Sequence, residues 1–91
     1  MSRYDWDPEK ARINLAKHSV SLDDAATVDL DPLKVILPDP GHDAADQRFL
    51  LIGHSTEGHL LVVVTSERGP RPRIIAAWRA TKRERLEYEA R

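Results

Sequence analysis

Four apolar runs, LKVIL at 33–37, RFLLIGH at 48–54, LLVVVTS at 60–66 and RIIAAW at 73–78, alternate with polar segments that carry turn and helix signals. Each run has the length of a strand and is rich in aliphatic and β-branched residues, so four strands are expected. The segment STEG at 55–58 is short enough to join strands two and three as an antiparallel hairpin, and GPRP at 69–72 makes the next reversal. A mostly antiparallel sheet follows. Ahead of it, Asp7 reads as an N-cap and Pro8 as the first residue of a helix that runs to about Lys17 and delivers Lys17 and His18 at its C-terminal end. Ser21 and Asp24 resemble a capping box with Asp in place of Glu, opening a short helix through Ala25, Ala26 and Val28 that Asp31-Pro32 ends. Thr81 and Glu84 form a second box at the start of a mostly polar last helix, in which Leu86 and Tyr88 supply the apolar surface.

The pattern predicts an α+β fold: N-terminal helices, a four-stranded mostly antiparallel sheet and a C-terminal helix, with the helices over one face of the sheet. The longest irregular stretch is 38–47, too short to separate domains, so residues 1–91 read as a single domain. A chain of 91 residues buries a modest core, which leaves room for support from a partner or a second copy. The absence of cysteine excludes disulfides and thiolate metal sites. There is no basic segment followed by an apolar stretch, and no uncharged run of membrane-spanning length, so a soluble cytoplasmic protein is expected, with no membrane partner.

Net charge is −1, but it is unevenly placed. Residues 1–66 hold 6 Lys/Arg against 11 Asp/Glu, whereas residues 67–91 hold 8 against 4. The basic end suits nucleic acid or an acidic partner, since cations placed near phosphates gain attraction and release counterions. The same composition also describes a solvated arginine-rich helix with Glu partners at helical spacing.

Acid–base cleavage of RNA needs a group to take the 2′-hydroxyl proton, a group to protonate the leaving 5′ oxygen, and cations for the charge that develops between them. Histidine transfers protons near neutral pH and arginine holds phosphate oxygens in bidentate geometry. Lys17, His18, Arg48, Arg73 and Arg79 provide such a set. Simple alternation along strand four puts Arg73, Ile75 and Ala77 on one face and Ile74, Ala76 and Trp78 on the other, with Arg79 extending the Arg73 side. Elsewhere, His42 reads as a loop residue. His54 and His59 flank the hairpin, where a cross-strand metal pair would lack a third ligand. Asp39, Asp43 and Asp46 lack the spacing of a calcium loop. Trp6 and Trp78 read as apolar anchors, with base stacking as their rarer use. No cofactor is called for.

The order of WDPEK, NLAKHSV, DDAA, Arg48 before an apolar strand, GHS, RIIAA and ATKRERLEY resembles the BrnT-type toxins, over nearly the whole chain. That resemblance implies a RelE-like fold and a metal-independent ribonuclease that inhibits translation. It implies as partners RNA and a BrnA-like antitoxin with a ribbon-helix-helix region, operator DNA being reached only through that antitoxin, with a homodimer within the complex as a further option. It places Lys17 and His18 on the family's K-H pair, Arg48 on its strand arginine and Arg73 on the first arginine of its R-I-I-S-A-R segment. The chain departs from that pattern with Trp78 where an arginine is common, Ala76 where a serine is common and Ser19 where glycine is usual. Loss of one good phosphate donor typically costs a factor of about 100 to 1,000. The alternative reading is therefore a catalytically weakened binding module, acting as antitoxin partner and operon co-repressor. Ser19 suits its position only if the backbone there does not need a positive φ.

Overall fold

The computed structural model describes residues 3–39 and 47–90. His42, Asp43 and Asp46, with most of the irregular stretch between the first two strands, lie outside the described residues. Helix α1 spans Pro8–His18, α2 spans Leu22–Ala26 and a 3-10 turn covers Thr27–Leu30; strands β1 Val35–Pro38, β2 Arg48–His54, β3 Leu60–Ser66 and β4 Arg73–Arg79 precede α3, Lys82–Glu89. The strands form one sheet in the order β1-β2-β3-β4, each antiparallel to the next, and Asp5 adds an isolated parallel bridge to Arg73.

The local signal acts as the sequence indicates at the start of α1, but the condition under which serine suits position 19 is not met at its end. The Asp7 side chain accepts the Glu9 N–H at 2.9 Å, with Pro8 behind it in the first turn. The helix ends in a left-handed residue, Ser19, at φ 57°. A positive φ is therefore required there, and serine meets it without the freedom of glycine. In the second cap, Ser21 Oγ accepts the Asp24 N–H at 3.0 Å, but the Asp24 carboxylate does not return to Ser21; it pairs with His59 instead. The second helix is shorter than expected, because a 3-10 turn takes over from Thr27. Strand β1 starts two residues late, since Asp31 binds the Leu33 N–H through its side chain and the Lys34 N–H through its carbonyl.

The helices do not all lie over one face. Val20, Leu22, Ala25, Ala26 and Val28 pack with Leu51, Leu61, Val63, Ile74 and Ala77 on one side. On the other side Val35, Ile52, Leu60 and Val62 pack with Trp78, Ala80 and Tyr88, so α3 covers the opposite face. The correction has a simple cause: β3 is buried along its whole length and presents apolar side chains to both faces.

Strand β4 contains a bulge that alternation could not reveal. Its register runs Arg73 with Ser66 and Ile74 with Thr65, then skips Ile75 and resumes with Ala76 opposite Val64, Ala77 opposite Val63, Trp78 opposite Val62 and Arg79 opposite Leu61. One extra residue reverses every side chain beyond it. Arg73, Ala76 and Trp78 consequently share the α3 face, while Ile74, Ala77 and Arg79 share the other.

Candidate active site

The bulge decides which cations can meet. Arg48 lies opposite Ser66 on one side and Arg73 lies opposite it on the other, so all three occupy one row on the α3 face. With strands about 4.8 Å apart, the two arginine backbones stand about 10 Å from each other. Arg48 is half-buried and Arg73 exposed. Arg79, exposed on the opposite face, is not brought to this row; it was expected on the Arg73 side, and the skipped residue is what moves it.

Helix α1 approaches along the open edge of β4, held there by a residue the sequence did not single out. Asn14, 4% exposed, donates to the Ala77 carbonyl at 2.9 Å and to the Val20 carbonyl at 2.9 Å, and accepts the Ala77 N–H at 3.0 Å. Its carboxamide takes the place of a neighbouring strand at the sheet edge. The only clue in the sequence is a poor helix former inside the α1 segment. Three and four residues on, Lys17 is exposed and His18 half-buried, and the His18 ring lies 6.1 Å from the Trp78 ring with the planes tilted by 46°. Lys10, Lys17, His18, Ile75 and Ala76 line an open groove of about 170 Å³.

Trp78 has a second fixed contact. Its Nε1–H donates to the Glu84 carboxylate, at 3.2 and 3.4 Å, and Glu84 also accepts the Thr81 N–H at 2.8 Å in the capping box of α3. The indole thus joins the end of β4 to the start of α3.

His54 and His59 are directed to different partners. His54 faces α3, where its N–H donates to Asp31 at 2.8 Å and its Nδ1 lies 3.2 Å from the Tyr88 oxygen. Tyr88 gives its single hydroxyl proton to Asp31 at 2.7 Å, so Nδ1 must carry the proton in the second bond. His59 faces the other way, with Nδ1 2.9 Å from Asp24. Among the described residues no group of three or more His, Cys, Asp or Glu is arranged to hold a metal ion. Burial pushes the Asp31 carboxyl up, but the N–H groups of His54 and Leu33 and the Tyr88 hydroxyl outweigh it and hold the group below its ordinary value. The same bond to Asp31, and then burial, holds Tyr88 above its ordinary value. Gly53 completes this junction: a Cβ there would meet Val28 at 3.0 Å, Asp31 at 3.1 Å and Lys34 at 3.2 Å.

Two larger clefts, of about 360 and 390 Å³, meet at Arg3 and Asp29. Their walls set Arg3 and Lys34 against Asp23, Asp29 and Glu67, and Arg3 is already paired with Asp29 at 3.3 Å, so neither cleft offers phosphate a net positive wall. The smaller cationic groove suits a polyanion better than either.

A four-stranded antiparallel sheet with two arginines flanking Ser66 on one face, and a helix-end histidine at its edge, defines a small α+β domain with basic groups gathered on one side. Residues 6–84 match the family model described as ribonuclease toxin, BrnT, of type II toxin-antitoxin system, and the chain belongs to that family. The fold is similar to the crystal structure of the ribonuclease toxin BrnT of Brucella abortus, at 22% identity and TM-score 0.65, over 87% of this chain and 96% of that one. A comparison with curated proteins finds no match. The family implies an antitoxin partner. Among the described residues no helix is long and apolar enough to cross a membrane.

Proposed function

We propose that this chain cleaves RNA without a metal ion, by proton transfer through His18, with Lys17, Arg48 and Arg73 around the scissile phosphate. The observation that carries the reading is the shared row of Arg48, Ser66 and Arg73 on the face that His18 and Trp78 approach. In that arrangement the 2′-hydroxyl loses its proton and attacks phosphorus, and the bond to the 5′ oxygen breaks. His18 takes the 2′ proton and returns it to the leaving 5′ oxygen, and the arginines hold the charge on the non-bridging oxygens. The products are a 2′,3′-cyclic phosphate and a free 5′ hydroxyl, and cleavage in the cytoplasm inhibits translation. Arg79 takes no part, because it faces the opposite side. The antitoxin is of the ribbon-helix-helix kind and brings the complex to operator DNA, with a toxin homodimer compatible with that assembly.

A second reading is favoured by Trp78 and Ala76, which stand on the same face where an arginine and a serine would offer polar contacts. In it the chain is a weakened toxin that acts as antitoxin partner and co-repressor. Induced expression of wild type, His18→Ala and Arg48→Ala separates the two, scored by growth and RNA integrity, with the matching reaction in vitro in chelator. Arrest and chelator-resistant cleavage that either substitution abolishes supports the ribonuclease. Intact RNA with the wild type supports the second reading.

A further inference from the structure

We propose that Trp78 is a specificity-determining residue of this site, a platform on which a nucleobase beside the scissile phosphate stacks; the proposal rests on the ribonuclease reading. The bulge at Ile75 puts the indole on the face of Arg48 and Arg73, which regular alternation would have denied it. Its Nε1–H is committed to Glu84, so the polar edge of the ring is satisfied and its plane is set. What a ligand can still reach is the partly exposed portion of the ring that His18 borders. Part of its surface packs on the apolar cluster around Val62, and the residue remains partly exposed.

The surroundings match what a single-stranded nucleotide requires. His18, the proton-transfer group, has its ring 6.1 Å from the indole and also lines the groove with Lys10 and Lys17. The groove borders Ala76, two residues from Trp78 on the strand, and His18, whose ring approaches the indole, so a phosphate held there lies on the Trp78 side of the site. Ala76, the preceding residue on that face, has a methyl group only and leaves the approach open. An aromatic platform beside cations that track the backbone is the arrangement by which proteins grip single strands, with stacking that any base can supply and purines supply best. The chain thereby exchanges a phosphate contact for a base contact, and the consequence is selectivity for what flanks the cleaved bond.

The test uses the full chain carrying Trp6→Phe, so that Trp78 is the only indole. It is titrated with 2′-O-methyl dodecamers of each base, which resist cleavage, and with an abasic dodecamer of the same backbone, at one ionic strength. Quenching of Trp78 by base-bearing strands but not by the abasic strand is expected. Trp78→Leu should weaken base-bearing strands by about 5- to 150-fold, leave abasic binding unchanged, and be rescued largely by Trp78→Tyr. Arg48→Ala should weaken both kinds of strand alike. Equal affinity of the wild type for abasic and base-bearing strands overturns the stacking proposal and leaves the ribonuclease reading standing. This comparison needs no variant at position 78, so a folding defect cannot obscure it. Binding of neither kind of strand overturns both.

Discussion

The carboxamide of Asn14 satisfies both backbone polar groups of Ala77, at 2.9 and 3.0 Å, across 63 residues of sequence. This pairing joins α1 to the bulged edge of β4, and with it His18 to the face that carries Arg73 and Trp78. Removing the side chain leaves three buried backbone groups, both of Ala77 and the Val20 carbonyl, without their partner, at about 1–3 kcal/mol each before water replaces it. Asn14→Ala should therefore lower the urea midpoint by an amount equal to at least about 1 kcal/mol and reduce RNA cleavage. A stability change below about 0.5 kcal/mol, within the range of ordinary surface substitutions, would refute the edge-strand role.

Ser19 occupies the left-handed region at φ 57°, where a Cβ costs about 1–2 kcal/mol and glycine costs no strain. Part of that gain is lost to the greater freedom of glycine in the unfolded chain. Ser19→Gly should stabilise the protein by about 0.5–1 kcal/mol and leave Lys17 and His18 at the helix end. Equilibrium unfolding checks it; a destabilised variant would contradict the strain argument.

The opposite faces of Arg73 and Arg79 separate their roles. Alanine at Arg48 or Arg73 should slow cleavage by about 100-fold or more, the size seen when one charge-stabilising donor is removed. Alanine at Arg79 should change it by less than about twofold, since the substitution is made on the surface away from the site. Single-turnover rates on one RNA decide the matter. A loss at Arg79 equal to that at Arg73 would show that the two share a ligand.

Asp31 and Tyr88 give stability opposite signs at the two ends of the pH scale. The folded state holds Asp31 below its ordinary value, so its contribution is present above the unfolded pKa near 3.8 and disappears as pH falls through the folded value. Tyr88 is held above 10.0, so its contribution is present below that pH and disappears as pH rises through the folded value. Asp31→Asn should flatten the acid limb of a stability profile and Tyr88→Phe the alkaline limb, while Phe preserves the edge-to-face contact with His54. Unchanged limbs in both variants would remove the junction from the list of stabilising features.

Much of this protein is written locally. The cap at Asp7-Pro8, the Thr81–Glu84 box, the tight turn at 55–58 closed by Gly58 at φ 85° and the four aliphatic runs each depend on residues a few positions apart, so they are legible without a fold. The candidate groups Lys17, His18, Arg48 and Arg73 could also be named from the chain, because their chemistry is a property of residue type. Their arrangement could not. One bulge at Ile75 turned Arg79 away from the face of Arg73 and turned Trp78 onto that face, and a bulge is set by register against β3. The fates of Asp24, Asp31 and His54 likewise depend on His59 and Tyr88, partners 34 to 57 residues away. Short-range stereochemistry and the apolar pattern determined the elements; long-range pairing decided which face each side chain serves, since shifting a strand by one residue exchanges its two faces without changing its composition.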